Sequence, residues 1–167
     1  YCHQHFLKKT VHAGEAYGPE SIEQAIHSCN AHRLGHGTRL IESGELLNFV
    51  NDHRIPLEIC LKSNVQTKAV ETLKEHPIEL FINYGLRVTL NTDNRLISNT
   101  TLTDEYLLLK NNFNVDYLDI KTIIINGFKS AFLPYRERVK LINKALKEME
   151  ILEETELKGK IPLEERI

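Results

Sequence analysis

The chain has 167 residues, 21 Lys and Arg against 23 Asp and Glu, a formal net charge of −2 at pH 7 and 41% hydrophobic residues. That length predicts one domain, the composition excludes a disordered chain, and the balanced charge excludes the basic footprint of a nucleic-acid binder. No run approaches the ~18 apolar residues of a membrane span, and the opening YCHQHFLKKT lacks the apolar centre of a signal peptide. Three cysteines (Cys2, Cys29, Cys60) lack metal-finger spacing. Reduced thiols in a cytoplasmic protein are the expectation.

Residues 1–9 read as an irregular segment. A first strand is predicted over 10–13, closed by Gly14 and Glu15. Gly18-Pro19-Glu20-Ser21 then opens a helix with Ile22, Ala25, Ile26 and Cys29 at helical spacing. A second strand is expected over 33–37, and a helix over 43–53 carrying Leu46, Leu47 and Val50. Pro56 precedes a third strand over 57–61. From Asn64 a helix is predicted through Val70 and Leu73, and Pro77 opens another that Gly85 stops. The fourth strand covers 87–91 and ends at Thr92-Asp93-Asn94.

Beyond this point the pattern is helical. Thr103 is the expected N-cap of a helix through Leu109, and Asp116 or Asp119 that of the next, through Phe128. Pro134 enters a longer helix with Val139, Ile142, Leu146 and Met149 on one stripe. The charged residues 153–167 are expected to form a fraying tail.

Strand starts near 10, 33, 57 and 87 predict parallel β/α units. A (β/α)8 barrel spends about 250 residues on eight such units; here four are followed by helices. Residues 10–152 thus read as half of a barrel domain of the α/β class. An isolated half is expected to leave two open sheet edges and an uncovered apolar interior.

A polar cluster stands at the carboxyl end of each strand: His12 with Glu15, His36 between Gly35 and Gly37, Ser63 with Asn64, and Asp93 with Asn94. Strand carboxyl ends form the active face of parallel α/β proteins. One strand-end histidine is ordinarily a satisfied structural residue, and Asp93 has the alternative of a cap. Four such ends together suggest metal-assisted hydrolysis. His and Asp suit zinc with an open water position. Glu15 is placed to exchange a proton with a substrate, and His36 to hold or activate a water.

The runs Thr10-Val11-His12-Ala13-Gly14-Glu15, Arg33-Leu34-Gly35-His36-Gly37, Leu57-Glu58-Ile59-Cys60, Ser63-Asn64 and Asn91-Thr92-Asp93 occur in the order seen in the adenosine deaminase family. Thr101-Leu102-Thr103-Asp104-Glu105-Tyr106 and Ser130-Ala131-Phe132-Leu133-Pro134 continue it. Over about 10–150 the chain resembles the carboxyl-terminal half of that family's barrel. The resemblance implies one Zn2+ per complete active site and conversion of adenosine or deoxyadenosine to inosine and ammonia. By position it makes His12 and Asp93 zinc ligands. Glu15 becomes the donor to purine N1, and His36 the residue that positions and deprotonates the attacking water. Gly14 and Asn94 fall on the substrate side, Asn94 standing where the family usually has an aspartate facing purine N7. The spacing His-x-x-Glu is not the His-x-Glu of cytidine-type deaminases.

Several features depart from the family pattern. The family's His-x-His pair on strand one is absent from its usual place, although His3-Gln4-His5 is itself such a pair and a tentative source of two ligands. Leu61 stands where many members have proline. The remaining ligands are expected from a complementing amino-terminal half or a homodimer partner. The expected partners are a small purine nucleoside and neither nucleic acid nor membrane. The competing reading is an inactive half-barrel that self-associates or binds a partner. A further alternative keeps the chemistry and changes the substrate to adenine or another 6-aminopurine.

Overall fold

The computed structural model describes residue 2 and residues 4–157. Four strands form one parallel sheet in the order β1 (Thr10–Ala13), β2 (Arg33–His36), β3 (Leu57–Ile59), β4 (Val88–Leu90). The helices between them are α1 (Pro19–His27), α2 (Gly44–Asp52), α3 (Leu61–Gln66) and α4 (Ile78–Asn83). Then follow α5 (Arg95–Ser98), α6 (Leu102–Asn112), α7 (Tyr117–Ser130) and α8 (Tyr135–Thr155). Among the described residues no helix is long and apolar enough to cross a membrane.

Alternation along each strand divides the sheet into two unlike faces. Leu34, Leu57, Ile59, Val88 and Leu90 point to the helices and are buried with Ile22, Leu47, Val50, Ile78 and Phe81. The opposite face, which the half-barrel expectation made apolar, is polar. Thr10 donates to Glu58 (2.8 Å), and Arg33 pairs with Glu58 (3.0 Å) and donates to Thr10 (3.1 Å). The Arg33 guanidinium also stacks 3.6 Å from the Phe132 ring centre. The face that would line a barrel thus satisfies its own polar groups and sets up no hydrophobic demand.

The two sheet edges differ. Along the outer edge of β4, α7 packs against the strand, and Asn126 donates its side-chain amide to the Val88 carbonyl (3.1 Å). One polar group of that edge therefore finds a partner without another strand. Among the described residues β1 pairs only with β2.

Four sequence expectations are corrected. The helix after β3 begins at Leu61 and ends at Gln66, because Lys68 turns left-handed (φ 64°) and reverses the chain; Val70 and Leu73 lie outside it. The N-cap of α6 is Thr101, not Thr103: Asp104 stands three residues on and completes the reciprocal capping box. In α8 the stripe passes through Ala145, which is buried, while Leu146 is exposed. Residue 153 does not open a frayed tail, since α8 runs to Thr155 and Glu153 is held by Lys121 (2.7 Å) and the Tyr117 hydroxyl (2.7 Å). Of the two expected starts of α7, Asp116 is the cap, and Ser43, read as the first residue of its helix, caps α2.

Candidate active site

His12 enters the carboxyl rim from the penultimate position of β1, and His36 is the last residue of β2. Their rings meet edge to face with centres 4.7 Å apart. Glu15, on the turn after β1, places Oε2 3.5 Å from His36 Nε2, and its Oε1 accepts from Thr67 (2.9 Å). Among the described residues the potential metal-ligating cluster is His12, Glu15 and His36, with one donor atom of each within 4.8 Å of the others. A cavity of about 590 Å³ adjoins it, walled by His12, His36, Glu58, Cys60 and Asp93.

Backbone geometry sets these side chains at a cost. His36 (φ 66°) and Asp93 (φ 53°) are both left-handed without being glycine, a conformation that costs about 1–3 kcal/mol and clusters at functional sites. Gly35 makes room for the first histidine: a Cβ there would lie 2.6 Å from His12 Cδ2. If His12 holds the zinc that the resemblance implies, Gly35→Ala is expected to turn the His12 ring and lower zinc affinity by on the order of tenfold. Isothermal titration with zinc checks this, and unchanged affinity would remove Gly35 from the support of His12.

Asp93 is oriented by Ser63, whose hydroxyl donates to Oδ2 (2.7 Å). Ser63 sits on α3, whose start is tied to α6 by Glu105, accepting from the Lys62 backbone N–H (3.4 Å) and the Thr100 hydroxyl (3.0 Å). Burial holds the Glu105 carboxyl above its usual range. It also pushes the Cys60 thiol well up, with Asp93 and Glu105 adding to the effect, so this cysteine is no nucleophile. Burial lowers the His36 pKa; Glu15 and Asp93 oppose it and His12 adds to it.

The remaining predicted residues fall in different places. Asn94 caps α5, its Oδ1 accepting from Leu96 (3.2 Å) and Ile97 (3.1 Å). Gly14 is buried, with its N–H given to Ser21 (2.8 Å) and its carbonyl accepting from Arg39 N–H (2.8 Å). Both backbone groups are thus used within the protein. Its φ of 66° and the 2.5 Å that a Cβ would leave to Ile22 Cδ1 make it a packing glycine. His5 is exposed and outside the three-residue cluster; His3 lies outside the described residues.

Sequence reasoning missed the supporting residues. Thr67 behind Glu15 carried no pattern signal, and Glu105 beneath α3 stood in a run that resembles the family without a role of its own. Asn64, grouped with the rim cluster without a role, is fully buried and reaches both His36 and His76 (3.0 and 3.2 Å). The dipeptide His76-Pro77 before α4 was the one visible sign of a special position.

A parallel β/α sheet with imidazoles and carboxylates gathered at its carboxyl rim is the arrangement of one half of a (β/α)8-type barrel. The adenosine deaminase family model matches residues 1–148, and the chain belongs to that family. It is 44% identical over 149 residues to an adenosine deaminase of Mycobacteroides abscessus, covering 83% of this chain and 41% of that protein. The Mycobacterium avium adenosine deaminase is 41% identical over 162 residues, covering 88% and 44%. Among solved structures, the fold matches adenine deaminase from Arthrobacter aurescens (TM-score 0.83, 24% identity, 89% of this chain and 45% of that one). It also matches an Arabidopsis N6-mAMP deaminase (TM-score 0.76, 25% identity, 89% and 43%) and a Burkholderia ambifaria amidohydrolase with bound zinc (TM-score 0.83, 19% identity, 92% and 43%). The chain spans less than half the length of these relatives.

Proposed function

We propose that this chain carries the proton-transfer half of a zinc-dependent deaminase that converts adenosine or deoxyadenosine, with water, to inosine or deoxyinosine and ammonia. The observation that carries this reading is the gathering of His12, Glu15 and His36 within 4.8 Å of one another, beside a rim cavity that His12, His36 and Asp93 wall. The donor chemistry fits zinc, since imidazole and carboxylate are its ordinary ligands and the Asp93 carboxylate is itself held by a hydroxyl, as ligating carboxylates are. His12 and Asp93 would hold the ion; bound there, it supplies a water acidic enough to attack at neutral pH.

The chain's own groups then manage the protons. Glu15 delivers one to purine N1, which makes C6 electrophilic. Water oxygen bonds to C6, and His36 orients that water. Of that water's two protons, one restores Glu15 and the other passes to the exocyclic nitrogen as the C6–N bond breaks, so ammonia leaves and C6 keeps the oxygen. Asn94 offers its side-chain NH2 to purine N7 while its oxygen stays on the cap. A catalytic zinc takes about three protein ligands or more, so the remainder comes from a complementing amino-terminal half or a second copy.

The test is chromatographic detection of inosine from adenosine with the zinc-loaded chain, alone and with the amino-terminal half of a relative added in trans. Adenine and N6-methyl-AMP serve as comparison substrates. In the same preparations, His12→Ala and Asp93→Ala are expected to reduce bound zinc to a small fraction of the parent's, as read by atomic absorption. Undiminished zinc would refute the ligand roles. Absence of deamination under every condition would favour the non-enzymatic reading.

A further inference from the structure

We propose that His76 and Asn64 are positioning residues that fix the proton of neutral His36 on Nε2, so that His36 meets the reaction centre as a hydrogen-bond donor. This deepens the deaminase reading and rests on His36 serving that site.

The direction of the chain is set by a backbone group that has no choice. The Ile78 N–H donates to His76 Nδ1 (3.1 Å). An amide N–H only donates, so His76 Nδ1 holds a lone pair and the neutral ring carries its proton on Nε2. That Nε2–H faces Asn64 Oδ1 (3.2 Å). With its oxygen committed there, Asn64 turns its NH2 group to His36 Nδ1 (3.0 Å). His36 Nδ1 is therefore an acceptor, and the proton of the neutral ring sits on Nε2, the atom 3.5 Å from Glu15 Oε2. The tautomer of a histidine follows the hydrogen bond its other nitrogen makes.

Burial makes the arrangement one-way. Asn64 is 0%, His36 2% and His76 3% exposed, so no solvent competes for these atoms, and reversing one bond would leave a buried donor facing a donor. Burial also pushes the His76 pKa down to about 4, which keeps that ring neutral near pH 7. The source of the order is the amino-terminal turn of α4, two side chains removed from His36. A base acting through Nε2 needs a lone pair on that atom; in the resting site the relay puts a hydrogen there. His36 thus steadies Glu15 or an oxygen at C6 by donation, and any uptake of a proton at Nε2 requires the relay to let go first.

The test reads the tautomer directly, without substrate. In the 15N-labelled full chain at pH 7.5 or above, long-range 1H–15N correlation is recorded with and without zinc, the His36 signals being assigned by their loss in a His36→Asn sample. The expected pattern is an unprotonated Nδ1 and a protonated Nε2 for both His36 and His76. In Asn64→Asp the new carboxylate accepts only, and His36 Nδ1 is expected to become protonated. In His76→Phe the amide is no longer oriented, and His36 is expected to show a mixture of both neutral forms. A protonated Nδ1 in the parent overturns the proposal, as does an unchanged His36 pattern in a folded Asn64→Asp or His76→Phe protein. If either variant does not fold, the parent spectrum alone decides. The expected pattern in a protein that deaminates nothing even with the amino-terminal half supplied would sink the functional reading and leave the relay standing.

Discussion

Glu15→Gln is expected to lower kcat for adenosine by about 10²- to 10⁴-fold, the usual range for losing a positioned general acid, while bound zinc stays at the parent level. Glutamine keeps the length of the side chain and an oxygen for the Thr67 hydroxyl that holds Glu15 Oε1. It loses only the transferable proton. The result separates two arrangements that the geometry brings close together. The resemblance makes His12 and Asp93 the ligands and Glu15 the acid. The tightest donor cluster is instead His12, Glu15 and His36. If Glu15 were a ligand, zinc would fall together with the rate. Steady-state kinetics and metal analysis on one preparation distinguish them, and a near-normal rate would remove the proton-donor role altogether.

The second large effect concerns acid. The His76 pKa is depressed from 6.5 to about 4 by burial. The unfolded chain thus takes up a proton at this residue below about pH 6.5, and the folded chain only near pH 4. Stability is expected to fall as pH drops through that window, and His76 alone contributes ~3 kcal/mol to the loss. Buried His36, also lowered, adds in the same direction. His76→Gln retains an N–H for Asn64 and has no proton to take up, so its stability should be flatter with pH. Urea unfolding of parent and variant between pH 7 and pH 4 measures the difference. Parallel curves would show that His76 does not stay neutral inside the fold.

Much of the fold could be read from the chain. All four strands lie within the predicted ranges, because buried parallel strands are short β-branched or leucine runs closed by turn residues. A cap was recoverable where an acidic residue stood before an apolar run, as with Asp116, one of the two starts expected for α7. Prediction failed where two threonines competed: Thr101 and Thr103 look alike, and only the partner three residues ahead separates Asp104 from Tyr106. The length of α3 failed for a related reason. Its end depends on one left-handed residue, Lys68, which is no glycine and gives no warning. The polar inner face was written in the alternation Leu57-Glu58-Ile59 and went unread, because a lone Glu in a strand does not announce the arginine that will neutralise it.

The same division runs through the active site. Residue type and order along the chain singled out His12, Glu15, His36 and Asp93 as candidates, and the fold brings the first three together and sets Asp93 in the adjoining cavity wall. What each group does depends on contacts 28 to 52 positions away in the chain: Thr67 behind Glu15, Ser63 on Asp93, Asn64 on His36. A hydrogen bond has a direction and a burial, and neither exists until distant segments are packed together. Local chemistry therefore selects the actors, while the packed interior assigns their protons.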